Sequence, residues 1–346
     1  MVNIRSFRIE SSSSSRPSDN PVEHLTSTTI CVLYWNVQQD STKQQAQPRR
    51  RAQVETTSLD FASSLAMAKK TVLITGSSSG IGHALAREFN SQGCHVFATA
   101  RKTSSIADLE KQGIETFALE VTDPDSIQTL RKVIASRTGH AGLDILVNNA
   151  GRNYTVPALD VEISEIRSTF ETNVFAVMLM CQSFAPLLIE AKGTIVQIGS
   201  LAAVVPYVFG SVYNASKGAL HSYTDTLRVE LAPFGVRVVN IITGGVKSSI
   251  ARTERQLPRG SVYLPIVDQY DRRQTHSQAN AIPAEDYAWS VVRQVLGSRK
   301  DTIWEGGKSW QVWFATSFLP KSFMEWMVSR MFQLWRLKES DTKKLN

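Results

Sequence analysis

Short apolar runs alternate with amphipathic segments along the chain from residue 71 onward. The apolar runs have the length of strands, whereas segments such as GHALAREFNSQG (82–93) and YTDTLRVELAPFG (223–235) have the periodicity of helices. This alternation predicts an α/β fold with a doubly wound parallel sheet, helices on both faces and ligands at the carboxyl ends of the strands. The predicted strands are 71–75, 95–100, 115–119, 145–148, 194–198, 236–242 and 302–304.

Residues 1–66 differ in kind from the segments that follow. They contain a run of five serines, a glutamine-rich stretch and three consecutive arginines, without sustained apolar periodicity. This composition predicts a disordered N-terminal extension. The folded part is expected to start near Met67. Either Met67 is the natural start, or the segment before it is a dispensable tail. A transit peptide is the competing interpretation, but the acidic residues of the segment oppose it, namely Glu10, Asp19 and Glu23.

Composition excludes some classes of protein. With 346 residues and 42% hydrophobic residues, the chain can bury a sizeable core. Cys31, Cys94 and Cys181 match no metal or disulfide spacing, so reduced thiols and no metal are expected. No stretch of about 20 uncharged apolar residues and no signal-peptide pattern was found, so neither a membrane span nor secretion is expected.

The net charge of +7 suits anionic partners such as phosphates or an acidic membrane surface, although a modest basic excess usually marks a solvated face. No aromatic and basic motif of a recognised nucleic-acid-binding type is present in the globular part. Nucleic acid is therefore not an expected partner.

The junction TVLITGSSSGIGHAL (71–85) contains the pattern TGxxxGxG. A strand there stops at Gly76, and a helix restarts through Gly80 and Gly82. Backbone N–H groups at such a helix N-terminus attract an anion, typically a pyrophosphate. The spacing differs from the usual GxGxxG fingerprint, so a turn without a ligand is the alternative for this motif alone.

Tyr213 and Lys217 lie four residues apart in YNASK. On a helix both side chains project from one face, and an ammonium beside a phenol lowers the tyrosine pKa of about 10 toward the working pH of a general acid. Ser200 follows the fifth strand at its carboxyl end and can meet them there. For this spacing alone, a solvent-facing pair is the alternative.

TGxxxGxG, NNAG (148–151), Asn173, Ser200 and YxxxK occur in this order. The set resembles the short-chain dehydrogenase/reductase family, and the resemblance covers about 70–305. It implies a Rossmann-type version of the predicted fold, with 67–305 as a single domain. It also implies oxidoreductase activity with a nicotinamide cofactor.

The resemblance implies roles for four catalytic residues. Tyr213 is expected to protonate the substrate oxygen as hydride arrives from the nicotinamide, and Ser200 to hydrogen-bond that oxygen. Lys217 is expected to bind the nicotinamide ribose and to depress the pKa of Tyr213. Asn173 is expected to support a water relay that returns the proton.

The second strand ends FATARK, with Ala100 where an NAD-dependent member would keep an acidic residue. Arg101 and Lys102 follow, and an arginine there accommodates a 2′-phosphate, which favours NADP(H) and the reductive direction. An idle surface charge is the alternative. Glu120 stands where the family commonly has an aspartate near the adenine. The other implied cofactor contacts are Gly76, Ser78, Ser79, Gly80, Ile81, Gly82, Val121, Asn149, Ala150, Gly151, Val246 and Ser248.

Three later stretches, ITGGVKSSI (242–250), PRGSVYLPI (258–266) and IPAEDYA (282–288), narrow the resemblance, together with FLPKSFMEWM in the tail. They are similar to fungal NADPH-dependent 1-acyldihydroxyacetone-phosphate reductases of endoplasmic reticulum and lipid-droplet membranes. That group implies a lipophilic ketone substrate. Steroid, retinoid and polyketide ketoreductases share the stretches in part, so the substrate stays open. A non-enzymatic NADP-sensing regulator would be expected to lack Tyr213 or Lys217.

A lid over the substrate is expected at 248–285, where Arg252, Arg255 and Arg259 are candidate partners for a substrate phosphate. The C-terminal segment 306–346 is rich in tryptophan and predicts an amphipathic helix past Pro320. Its wide aromatic face suits a membrane interface, on the cytosolic side of the endoplasmic reticulum or lipid droplets. Packing on the domain or on a partner subunit is the alternative, and a homodimer stays an open option.

Overall fold

Seven parallel strands form a single sheet in the computed structural model, which describes residues 69–248, 250 and 255–338. Their order across the sheet is β3-β2-β1-β4-β5-β6-β7. All seven predicted strands are confirmed, with bounds that differ by at most one residue. The strands are β1 (Thr71–Ile74), β2 (His95–Ala100), β3 (Glu115–Ala118), β4 (Ile145–Asn148), β5 (Thr194–Ile198), β6 (Arg237–Thr243) and β7 (Thr302–Glu305).

Several predictions concern residues outside the described ranges. They are the N-terminal extension 1–66, the start at Met67, the thiol of Cys31, the phosphate partner Arg252 and part of the lid 248–285.

Helices cover both faces of the sheet, as the alternation of patterns predicted. Successive strand residues point to opposite faces, so Val72 and Ile74 belong to one core cluster and Leu73 to the other. The helices are α1 (Gly80–Ser91), α2 (Ala107–Glu110), α3 (Pro124–Thr138), α4 (Ile163–Phe170), α5 (Ala176–Ala191), α6 (Ser211–Leu231), α7 (Val267–Ala279), α8 (Ala284–Gly297), α9 (Ser309–Phe318) and α10 (Lys321–Met331). The first cluster includes residues of α1, α2 and α8, and the second includes residues of α3, α5 and α6.

The order of the strands determines where the candidate site lies. β1 pairs with β2 on one side and with β4 on the other, so the chain changes direction between β1 and β4. The loops that leave these two strands at their carboxyl ends diverge and open a crevice. The glycine-rich turn after β1 lies at this crevice.

α4 and α5 join through a wider turn of π type, Glu171–Phe175, into one helical segment, Ile163–Ala191. By length and composition this segment is apolar enough to cross a membrane, and it is the one such segment among the described residues. No membrane span was expected from the sequence, because the uncharged run inside this segment falls short of about 20 residues. Val177 and Phe184 of this segment lie in the second core cluster, as expected of a core helix.

The C-terminal helices pack against the lid. A cluster of buried side chains joins the two parts. It contains Val328 of α10, Phe332 just beyond α10, Tyr270 of α7, and also Phe209 and Ile266. Because these five residues are buried, the C-terminal segment is part of the folded body on this side.

The predicted helix past Pro320 is present as α10, but its apolar face is divided. Met324 and Val328 are buried, whereas Phe323 and Trp326 are exposed. The helix ends at Met331. The exposed aromatic side chains of α9 and α10 are Trp310, Trp313, Phe314, Phe318, Phe323 and Trp326.

Candidate active site

The turn after β1 approaches the loop after β4 so closely that only glycine fits. Gly76 has a φ of +70°, and a Cβ atom there would lie 2.8 Å from the Cα atom of Ala150. A Cβ atom on Gly82 would lie 2.3 Å from the amide nitrogen of Asn149. The glycines therefore let the turn pack against the loop after β4, so that α1 begins at the crevice, where the N–H groups of a helix N-terminus bind a pyrophosphate.

Asn149 and Thr75 clamp the two loops together. The Asn149 side-chain amide donates to the carbonyl oxygens of Thr75 at 2.9 Å and Gly76 at 3.0 Å. In return, the Thr75 hydroxyl oxygen accepts the backbone N–H groups of Asn149 and Ala150, each at 3.0 Å. These four bonds make the crevice between β1 and β4 rigid before any ligand arrives.

A cleft of about 1180 Å³ lies over the carboxyl ends of the strands. It is lined by most of the predicted cofactor contacts: Gly76, Ser78, Ser79, Ile81, Arg101, Glu120, Val121, Asn149, Ala150, Gly151, Tyr213, Lys217, Val246 and Ser248. Three predicted contacts do not line it, namely Gly80, Gly82 and Lys102. Gly80 and Gly82 act through the backbone of the turn instead. The Lys102 side chain is exposed, at the start of a short helical turn that leaves the cleft.

The dinucleotide fits the residues present. The glycine cradle, the clamp and Arg101 lie along the same cleft, and Ala100 leaves space beside Arg101 where an acidic side chain would oppose a 2′-phosphate. Glu120 lines the cleft too, but its carboxylate accepts the backbone N–H of Thr122 at 3.2 Å and the Thr122 hydroxyl at 2.9 Å.

Tyr213 and Lys217 project from α6 into the cleft, where Ser200 meets them at the end of β5. Burial raises the pKa of Tyr213, while a hydrogen bond with Ser200 and the nearby positive charge of Arg273 oppose that rise. The net pKa lies above the usual 10, so the phenol carries its proton at neutral pH.

Lys217 is 6% exposed, and its ammonium donates to the carbonyl oxygen of Ile198 at 2.8 Å. Burial lowers the pKa of Lys217 to about 8. In the structure, the influences that lower the pKa of Tyr213 are the hydrogen bond with Ser200 and the charge of Arg273. The expectation that Lys217 also lowers this pKa stays a prediction.

His221 lies one turn after Lys217 on α6 and was not singled out from the sequence. Its Nε2 atom accepts the backbone N–H of Ser200 at 3.2 Å. Burial, together with the charge of Lys217, lowers the pKa of His221 to about 4, so the ring is a neutral acceptor. His221 thereby positions Ser200 beside Tyr213.

Asn173 lies in the π turn and is 1% exposed. Its Oδ1 atom accepts the backbone N–H of Arg152 at 2.8 Å, and its Nδ2 atom donates to the Arg152 carbonyl at 2.9 Å and the Ser216 hydroxyl at 3.0 Å. The side chain does not line the cleft; it joins the loop after β4 to α6. A role in a water relay stays a prediction.

The arginines that were expected to bind a substrate phosphate do not all face the cleft as free cations. Arg255 lines the cleft, but its guanidinium pairs with Glu165 at 3.1 Å, and Glu165 also pairs with Arg152. Arg259 is exposed and does not line the cleft. A different lid arginine, Arg273 of α7, lines it and is 5% exposed.

Nothing in the sequence distinguishes Arg273 from the adjacent Arg272, since both lie in a strongly polar helix. The apolar wall opposite was not identified from the sequence either, because it comes from the C-terminal helices. It consists of Val312, Ala315, Met324, Met327, Val328 and Met331.

Comparison with known proteins gives concordant results. A family model described as short chain dehydrogenase matches residues 70–258. The chain is 38% identical over 282 residues to the short-chain dehydrogenase fogD of Aspergillus ruber, covering 80% of this chain and 98% of that protein. It is 37% identical over 274 residues to the NADPH-dependent 1-acyldihydroxyacetone phosphate reductase of Saccharomyces cerevisiae, covering 77% and 92%. A short-chain dehydrogenase structure from Streptomyces avermitilis matches with a TM-score of 0.65 and 27% identity, over 77% of this chain and 98% of that one.

Proposed function

The chain belongs to the short-chain dehydrogenase family of oxidoreductases, and from that premise we propose that it reduces a ketone to a secondary alcohol with NADPH. The observation that carries this proposal is the convergence of Tyr213, Ser200 and Lys217 on the same cleft as the glycine turn and Arg101.

NADPH is the proposed cofactor because Arg101 lines the cleft directly after β2, beside the small residue Ala100. A guanidinium there pairs with a 2′-phosphate, and no acidic side chain of that strand end competes for the ribose. The relative from Saccharomyces cerevisiae is named as NADPH-dependent, which supports the same choice. When bound, the cofactor supplies the hydride.

Tyr213 is the proton donor in this proposal. Burial keeps its hydroxyl protonated, and Ser200 lies close enough to hydrogen-bond the same substrate oxygen. As the carbonyl oxygen gains negative charge, the Tyr213 proton moves to it. The phenolate that remains is stabilised by the Ser200 hydroxyl and by the positive charges of Arg273 and Lys217.

Lys217 has a second proposed task, which is to hold the nicotinamide ribose through its ammonium. Its pKa of about 8 leaves most molecules charged at pH 7. Asn173 is proposed to act indirectly, because its side-chain amide fixes the backbone of Arg152, which lines the cleft. Moving that amide would break three hydrogen bonds.

A lipophilic ketone is the proposed substrate class, with 1-acyldihydroxyacetone phosphate as the first candidate. The apolar wall from α9 and α10 and the name of the yeast relative support it. A polyketide, steroid or retinoid ketone is the second candidate, because the same wall accepts any apolar skeleton.

A membrane surface is the proposed location, on the cytosolic side of the endoplasmic reticulum or of lipid droplets. Trp310, Phe314 and Phe318 lie on one exposed side of α9, and the exposed Lys321 begins the next helix. Aromatic side chains flanked by basic ones suit the interface of an anionic bilayer.

The deciding experiment measures NADPH oxidation by the purified chain with 1-acyldihydroxyacetone phosphate and with steroid, retinal and polyketide ketones. Turnover of at least one of them, with NADH much less effective, is expected. If no ketone is reduced while NADPH binds, the proposed reaction is wrong. A preference for NADH would contradict the cofactor assignment alone.

A further inference from the structure

Arg273 is held in a fixed position inside the cleft. Its guanidinium carbon lies 3.6 Å from the centre of the Tyr207 ring, and its Nε atom donates to the carbonyl oxygen of Val208 at 3.1 Å. A Cβ atom on Gly210 would lie 3.3 Å from one of its terminal nitrogens. The aromatic face, the carbonyl and the close backbone therefore orient the guanidinium before a ligand binds.

The charge of Arg273 has no acidic counterpart among the described residues. Two other arginines that line this cleft, Arg152 and Arg255, share the carboxylate of Glu165, whereas Arg273 forms no ion pair in the described part of the chain. Arginine stays protonated in proteins, and a buried charge without a partner is unfavourable. An anionic ligand would remove that penalty.

Arg273 lines the same cleft as Tyr213, and its positive charge opposes the rise in the pKa of the Tyr213 hydroxyl. A ligand group bound to Arg273 would thus lie in the same cleft as the carbonyl that receives the Tyr213 proton.

The apolar wall from α9 and α10 forms another part of the same cleft. Met324 and Val328 are each 3% exposed, and Met327 and Met331 lie beside them. Methionine side chains adapt to flexible apolar ligands. The polar end of the cleft and its apolar end are both built from lid or C-terminal residues.

We propose that Arg273 binds an anionic group of the substrate, so that the preferred ketone is an amphiphile with a phosphate or carboxylate near the carbonyl and an apolar chain against α10. This inference rests on the proposed reduction of a ketone in this cleft. It assigns the recognition of the anion to Arg273 in place of Arg255 and Arg259.

The test measures binding to the full chain saturated with NADP⁺, which blocks the cofactor's own phosphate site. Isothermal titration compares decyl phosphate, decanol and inorganic phosphate. Decyl phosphate is expected to bind roughly ten times more tightly than either of the others. It alone has both a phosphate for Arg273 and an alkyl chain for the apolar wall of α10. Equal binding of decyl phosphate and decanol would overturn the anion site, and equal binding of inorganic phosphate would overturn the apolar half.

Arg273→Met should weaken decyl phosphate binding roughly 10- to 100-fold and leave decanol binding unchanged. Arg259→Met removes an exposed lid arginine and is the matched control, with no expected effect. Unchanged decyl phosphate binding in Arg273→Met contradicts the assignment. If Arg273→Met does not fold, Arg273→Lys is used instead, because it keeps the positive charge. The affinity of Arg273→Lys for decyl phosphate should fall with added salt, as the wild-type affinity does.

A kinetic comparison separates substrate binding from an effect on Tyr213. With a phosphate-bearing ketone and a neutral ketone of equal chain length, Arg273→Met should raise KM for the first alone, whereas any fall in kcat from the lost charge near Tyr213 should be the same for both ketones. A variant that lowers kcat for both ketones and shifts its pH profile, with KM unchanged, would show that Arg273 only tunes Tyr213. Failure of the wild-type chain to reduce any ketone would refute the reductase and leave the titration result intact.

Discussion

Gly82 and Asn149 share one small space behind the phosphate cradle, where the side-chain amide of Asn149 occupies the volume that a Cβ atom of residue 82 would need. The separation would be 2.3 Å. Asn149 uses this position to bind the carbonyl oxygens of Thr75 and Gly76. The identity of residue 82 therefore controls a clamp in another loop.

Gly82→Ala should destabilise the fold by about 2 kcal/mol, because the displaced amide loses two partly buried hydrogen bonds. Binding of NADPH should weaken as well. Thermal unfolding and fluorescence titration with NADPH check both. Gly297→Ala is the control, since a Cβ atom there meets nothing within 4 Å. Equal behaviour of the two variants would contradict the clamp.

Tyr213→Phe removes the transferable proton and keeps the ring. Turnover should fall by at least about 100-fold, with NADPH still bound, because a positioned general acid contributes about that much. Steady-state rates and cofactor titration measure the two effects. Tyr207→Phe removes another hydroxyl from the cleft and should retain most of the turnover. Near-normal turnover in Tyr213→Phe would exclude Tyr213 as the donor.

Arg101→Ala removes the proposed partner of the 2′-phosphate. KM for NADPH should rise roughly 10- to 100-fold, which corresponds to about 1.5–3 kcal/mol, while KM for NADH changes little. Lys102→Ala is the matched control, because the exposed Lys102 does not line the cleft. Equal increases for both cofactors would show that Arg101 does not read the phosphate.

His221 makes stability depend on pH. Its pKa in the folded chain is about 4, below the ordinary 6.5, so the unfolded chain binds the proton first as the pH falls. The stabilisation by the neutral ring is complete above pH 6.5 and is lost toward pH 4, up to about 3 kcal/mol. His221→Gln keeps an acceptor for Ser200 and should flatten this dependence in urea unfolding measured at pH 7.5 and 5. Parallel losses in both proteins would refute it.

Membrane attachment is tested best by point substitutions. Truncation near Lys308 would also remove Met324 and Val328 from the cleft, and Val328 from its cluster with Phe209, Ile266 and Tyr270. Replacing Trp310, Phe314 and Phe318 by serine leaves that packing intact and should reduce flotation with anionic liposomes by at least about tenfold.

The control for this experiment replaces Val229 and Phe234, which are exposed on another side of the molecule. If the wild-type chain does not float, or if the aromatic variant floats equally well, α9 does not bind the membrane.

Much of the fold was predictable because its signals are local. Each strand is a short apolar run, and Tyr213 and Lys217 are four residues apart on one helix, so periodicity alone places them correctly. Ser200 was also predictable, since parallel strands end at one edge of the sheet.

Arg273 and the wall of α10 could not be predicted, because their roles depend on tertiary packing. Arg273 is fixed in the cleft only by its tertiary contacts with Tyr207 and Val208. Nothing in its local sequence distinguishes it from Arg272. The apolar face of α10 predicted an amphipathic helix, but a pattern of residues does not show which part of a wide face meets protein and which meets solvent.

α10 forms part of two surfaces, since Met324 and Val328 face the cleft while Phe323 and Trp326 face outward. One rigid helix therefore belongs to both binding equilibria. If a ligand in the cleft changes the affinity of the outer face for vesicles by some factor, thermodynamic reciprocity sets the reverse effect. Vesicle binding must then change the affinity of the cleft for that ligand by the same factor. The bilayer would then be an effector of the enzyme as well as its location.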